Sequence, residues 1–176
     1  MRVFFIILLL SNSLIAKTIQ PLSHYTFEEL LSNEEKNHYV IEGCVSLYSA
    51  ITELIKTEYP DLASTFYEIA NTIYPYGIIS LKNTKNLSYD DAEKYFFENV
   101  SKLSEQYIDE MNINGKKNGS YFKGSFLGDD LFFCHEVTNS VKKLRKIARK
   151  YSALVVTGHD PNAWSTFKKA PMFYYD

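Results

Sequence analysis

Two cysteines constrain this chain more than any other feature. Cys44 and Cys134 are its only two, and each sits on an apolar stripe with helical spacing. Around the first, Ile41, Cys44, Tyr48, Ile51 and Ile55 recur at alternating three- and four-residue steps, which keeps them on one face of an α-helix. Val40, Leu47 and Leu54 widen that face, while Glu42, Ser46, Glu53 and Lys56 lie off it. Around the second, Cys134, Val137, Val141, Leu144, Ala148 and Tyr151 follow the same rule. Stripes this broad must bury against other helices, so both thiols should face a core and bond to one another.

That bond limits the topology. Bonded cysteines keep their Cα atoms roughly 4.4–6.8 Å apart. In an up-down-up-down bundle the first and fourth helices run antiparallel. Cysteines near the start of each would then lie on the order of 15–20 Å apart at 1.5 Å per residue. The two helices are therefore expected to run roughly parallel, or to cross steeply near their starts. Residues 112–128, rich in Asn, Gly, Lys and Ser, can supply the return. A connection of about 17 residues can span more than about 50 Å, and a loop this long inside a compact domain is usually functional or mobile.

Whether two cysteines bond depends on compartment, and the N-terminus speaks to that. Arg2 precedes an unbroken apolar run, Val3 to Leu10, and the stretch Ser11-Asn12-Ser13-Leu14-Ile15 then ends in the small residue Ala16. This is the pattern of a secretory signal peptide over 1–16. The run is too short to span a membrane, which takes about 20 apolar residues, and no later stretch is long enough. The expected location is periplasmic or extracellular. Cleavage after Ala16 would remove one of 19 basic residues and none of the 21 acidic ones. The mature chain stays net acidic, which argues against a nucleic-acid partner.

The remaining segments can be read in order. Residues 17–37 hold an arm and a short helix, Phe27 to Glu35, opened by a Thr26/Glu29 capping box. The bundle itself is expected over 38–151. Tyr59-Pro60 ends the Cys44 helix, and Pro60 opens the next, which Tyr74-Pro75-Tyr76-Gly77 should close. Ser88 and Asp91 cap a helix running to about Met111, and Asp129 or Asp130 should cap the last one. Residues 152–176 form a tail that packs on the bundle or extends from it. The result is an all-α class: a small bundle of four main helices plus a short N-terminal helix, with one interhelical disulfide. One domain suits 176 residues.

Little in the sequence carries chemistry. Glu35-x-x-His38 has the spacing of half a di-iron carboxylate site, but such sites need the motif twice, and it occurs once. His38 and Glu42, four apart, read as a surface contact. Cys134-His135-Glu136 needs a free thiolate to react, which a disulfide removes. His159-Asp160 before Pro161 reads as a helix cap. There is no CxxC or CxxCH, so no cofactor is expected and no catalytic or metal residue is assigned. Lys142, Lys143, Arg145, Lys146, Arg149 and Lys150 form a basic cluster opposite the Val141/Leu144/Ala148 stripe. It is either a solvated face or a docking patch for an acidic partner or anionic surface.

The layout Gly43-Cys44-Val45-Ser46-Leu47-Tyr48, Ala63-Ser64-Thr65-Phe66, a long helix and Phe133-Cys134 resembles small, uncharacterised exported helical proteins of bacteria. The span 134–151 is also similar in outline to the C-terminal helix of periplasmic immunity proteins that neutralise type VI amidase effectors. That resemblance implies an all-helical fold with a disulfide, and no functional residues are carried over from it. The expected role is a non-enzymatic binding or interaction protein with a protein partner. An immunity-type inhibitor of a secreted hydrolase is the specific form of that idea. A small metal-binding or hydrolytic enzyme using Glu35, His38 or His159 is the competing class.

Overall fold

In a computed structural model of the chain, residues 19–150 are described. The signal-peptide assignment over 1–16, the tail 152–176 with His159, and Tyr151 of the last stripe lie outside them. All regular structure among the described residues is helical. A 3₁₀ turn, Leu22–His24, precedes α1 (Phe27–Ser32), α2 (Glu34–Ile55), α3 (Pro60–Lys85), α4 (Tyr89–Asn118) and α5 (Phe126–Lys150).

The caps read from the sequence form. Thr26 Oγ1 accepts from the Glu29 amide at 3.2 Å, and Glu29 Oε2 accepts from the Thr26 amide at 3.0 Å. Ser88 Oγ accepts from the Asp91 amide at 3.1 Å. Pro60 occupies the first turn of α3, where its missing N–H costs nothing.

Several boundaries differ from expectation, and α1 stops at Ser32 where Glu35 was expected. Helix α2 starts at Glu34 instead of near His38, because Asn33 takes the N-cap and accepts from the Lys36 amide at 3.0 Å. Helix α3 runs through Pro75 to Lys85. An interior proline removes one intrahelical bond and costs about 3 kcal/mol. The turns beyond it bury Ile78 and Leu81, and each such side chain contributes roughly 1.5–3 kcal/mol. Gly77 adds to the grip, since its bare Cα meets the Phe96 ring and a Cβ there would lie 2.1 Å from Phe96 Cζ. Helix α3 then ends at Asn86 in the left-handed region.

A further correction concerns the 112–128 loop. Helix α4 continues to Asn118, so only residues 119–125 connect it to α5. Met111 and Asn114 are buried, and the Asn114 amide nitrogen faces the carbonyls of Ser120, Tyr121 and Lys123 at 2.7, 3.1 and 3.1 Å. Asn118 donates to the Asn114 side-chain oxygen at 2.6 Å. Gly119 closes the helix with φ +68°, its amide donating to the Gly115 carbonyl at 2.9 Å. Four intended "loop" glycine and asparagine positions thus serve as last helical turn and cap.

Helices α2, α3 and α4 pack on one another along much of their length. Val40, Leu47, Tyr48 and Ile51 of α2 meet Ile73 and Ile78 of α3 and Phe96 and Tyr107 of α4 in one core. Helix α5 lies on the 3₁₀ turn and on α3, and it touches α2 over a short stretch about the disulfide. Cys44 and Cys134 are bonded, with Cα atoms 5.3 Å apart, and both are fully buried. One turn further along both helices, the Tyr48 and Thr138 hydroxyls approach to 3.5 Å.

Candidate functional site

The last helix decides what surface the molecule offers. Its stripe is buried at Leu127, Cys134 and Val137, half-buried at Val141, and open at Leu144, which is 51% exposed. The alternating three- and four-residue spacing of Cys134 to Tyr151 predicts one continuous buried face. The body instead ends under Val141, and residues 142–147 are exposed all round. Of the basic cluster, Lys142, Lys143, Arg145 and Lys146 stand in this exposed span. Among the described residues none of the four is in an ion pair. The side chains of Arg149 and Lys150 lie outside the description.

Beside this open end lies a cleft of about 280 Å³ where α1, α2, α3 and α5 converge. Leu31 stands at its lip, and Leu30, Ile41, Tyr76, Val141 and Leu144 line it together with the polar Asn37, Ser80 and Asn83. Glu34 also lines it, on the α1–α2 side. Leu31 is 88% exposed, so the lip is apolar and wet. Small-molecule sites run to roughly 300–1,000 Å³. This cleft is at their lower limit, with room for one or two side chains and not for a large cofactor.

The histidine expected at a solvated helix start is placed differently. The His38 side chain is only 12% exposed, and its Nε2 lies 3.1 Å from Glu42 Oε2. Asn99 of α4 donates to the same oxygen at 3.1 Å. The imidazole leans on Phe96, with centroids 6.1 Å apart. The i,i+4 spacing predicts the contact but not its burial, because the covering residues come from α4. The pair joins α2 to α4; the ring's other neighbour is a phenyl group, which offers no nucleophile. Glu35 is exposed and points the proposed half-motif at solvent. Among the described residues no group of three or more His, Cys, Asp or Glu side chains is placed to hold a metal ion.

Asp130 is the polar residue whose role sequence reasoning mistook. Helix α5 begins at Phe126, a turn before the expected cap. Asp130 is therefore inside the helix, fully buried, and its Oδ1 accepts from the Ser23 amide at 2.9 Å. It pins the N-terminal arm to α5. Tyr39 pins the same arm to α2, donating from its hydroxyl to the Gln20 carbonyl at 3.0 Å. Between these two clasps Leu22 is fully buried against Gly43, where an added Cβ would sit 2.6 Å from Leu22 Cδ2. Burial pushes the Asp130 carboxyl above its ordinary value, and the amides it accepts from only partly restore it. Burial likewise raises the Tyr107 phenol well above its usual range, with Asp130 adding to the effect. The only signal in the sequence was the Asp129-Asp130 pair, one member of which is exposed.

No helix among the described residues is long and apolar enough to cross a membrane. No protein-family model matches the chain, and no solved structure matches it. Over 39 residues it is 62% identical to the N-acyl homoserine lactonase AttM of Agrobacterium fabrum and 64% identical to that of Rhizobium johnstonii. The Azorhizobium caulinodans lactonase is 56% identical over a stretch of the same length. The shared stretch is 22% of this chain, which spans only 15% of the length of these lactonases.

Proposed function

We propose that this is an exported helical protein that acts by binding another protein, with no chemistry of its own. The observation that carries the reading is the end of α5. Four cations with no ion-pair partner among the described residues, and the apolar Leu144 and Ile147, are exposed on a helix whose first half is locked into the core. Exposed apolar groups beside charge are features of interaction surfaces. The buried disulfide supports the export half of the proposal, since such bonds persist in oxidising compartments. An immunity-type inhibitor, seated on a secreted hydrolase, is the specific form of this function.

Two measurements test it. The intact mass of the exported protein should lack residues 1–16 and two further hydrogens; a full-length mass with two free thiols would overturn export. A photo-crosslinking side chain in place of Lys143 should give a discrete protein adduct in the compartment where the chain resides. Absence of any adduct would overturn the binding role.

The 39-residue likeness to N-acyl homoserine lactonases favours a second reading, in which the chain shares in lactone hydrolysis. A catalytic site draws its groups from several elements, and 15% of an enzyme's length is a small part of one. The expected result is no ring opening of an N-acyl homoserine lactone by the purified chain. Turnover above background would replace the binding role.

A further inference from the structure

The N-terminal arm is held by few contacts, and one of them is to a buried acid. We infer that residues 19–25 form a latch, shut while the Asp130 carboxyl carries a proton and opened, with the helices still in place, when that carboxyl ionises. The inference is independent of the partner proposed above.

The setting of Asp130 leads there. It is fully buried. Its Oδ1 accepts from the Ser23 amide at 2.9 Å, while its Oδ2 has no hydrogen-bond partner among the described residues. No Lys or Arg among them pairs with it. A neutral acid suits this place, because its carbonyl oxygen still accepts from Ser23. A carboxylate does not, because a buried charge without a partner is costly.

The groups around it do not compensate. Tyr107 of α4 is fully buried, and its hydroxyl has no partner among the described residues either. Tyr39 of α2 directs its hydroxyl to the Gln20 carbonyl, and Glu42 of the same helix adds only negative charge near that phenol. His24 of the arm is exposed and draws the carboxyl down less than the Leu22 and Ser23 backbone does. Asp129, its neighbour on α5, is exposed and of like sign. Helix α3 lines the cleft with α5 at Val141 and Leu144, about three turns further along. Burial therefore raises Asp130 above the ordinary carboxylate value, and the docked arm holds the proton more tightly than the open one. Docking is favoured below the ordinary carboxylate range and weakens as pH rises through the raised value.

The arm is also the smallest cover to move. Ile19 and Leu22 are its buried side chains, and Asp130 and Tyr39 grip its backbone. Just beyond it the Thr26/Glu29 capping box closes α1 on itself, and Leu30 anchors that helix separately. A swing between Tyr25 and Thr26 admits water to Asp130 with the capping box intact.

Native-state amide hydrogen exchange of the whole exported chain tests the latch. The reporters are the Ser23 amide, which donates to Asp130, and the Tyr25 amide, which donates to the Leu22 carbonyl. Their protection, relative to an unstructured chain at the same pH, should fall at least about tenfold from about pH 4 to about pH 8, above the ordinary carboxylate range. Exchange at both should ignore sub-denaturing urea, the mark of a local opening, while the buried Val45 and Leu47 of α2 respond to it. Asp130→Asn keeps an oxygen for Ser23 and should leave both reporters protected at every pH. Tyr39→Phe should lower their protection by one constant factor and keep the pH dependence. Protection that is flat or rises with pH, that falls equally in Asp130→Asn, or that loses its pH dependence in Tyr39→Phe would overturn the latch. So would a urea response of the reporters equal to that of Val45 and Leu47, since the arm would then open only with the whole fold.

Discussion

Asp130 shows how a single residue can couple this fold to pH. It is fully buried between the N-terminal arm and α5. The titratable groups that act on it or are acted on by it are His24 in the 3₁₀ turn, Tyr39 in α2 and Tyr107 in α4. Burial, which disfavours the charged form, raises its folded-state carboxyl above the ordinary carboxylate value. A raised value means that the native state holds the proton more tightly than the unfolded chain. The stabilisation this gives is complete below the ordinary carboxylate range and is lost as pH rises through the raised value. Asp130→Asn keeps an oxygen for the Ser23 amide and removes the buried charge. We expect the variant to be at least as stable as the parent at neutral pH, with a flatter dependence of stability on pH above about 4, the ordinary carboxylate range. Urea unfolding at a series of pH values measures both. A variant that is less stable at neutral pH, with the slope unchanged, would show that the charged form is what holds the arm.

At the scale of elements, the junction between α4 and α5 replaces the long loop read from composition. Asn and Gly are weak helix formers, and their density over 112–119 argued for a break near Met111. Asn114 reverses that balance. It is 6% exposed and satisfies carbonyls of the turn that follows, so it ties the helix end to the connection. Replacing it by Ala would leave part-buried carbonyls without their donor, at up to about 1–3 kcal/mol. We expect Asn114→Ala to lower the unfolding midpoint accordingly, with amide exchange in residues 115–125 rising more than elsewhere. Uniform protection would place the cost elsewhere. Pro75 teaches the same lesson in α3, where local preference for a break yields to burial of Ile78 and Leu81.

For the whole molecule, the disulfide does what no packed face does between α2 and α5. Their contact is short, while the bond closes a sequence separation of 90 residues. Removing it frees that loop in the unfolded chain, a cost of about 2–5 kcal/mol. The Cys44→Ala/Cys134→Ala double variant should lose stability in that range while keeping its helical circular dichroism. Loss of the helical signal would mean that the bond is needed for α5 to fold onto the body at all. The sequence by itself determined the all-α class, the capping of α1 and α4, and the pairing of the cysteines. Those follow from periodicity of 3.6, from side chains reaching amides three residues away, and from covalent reach. The tertiary structure alone decided where α3 and α4 end, that Asp130 and His38 are buried, and that the α5 stripe leaves the core after Val141. Each of those depends on which distant residue supplies the cover: Phe96 over Gly77 and His38, Ser23 over Asp130, and nothing described over Leu144. Spacing along one helix tells which side is apolar; how far a neighbour extends to bury it is a property of the packing.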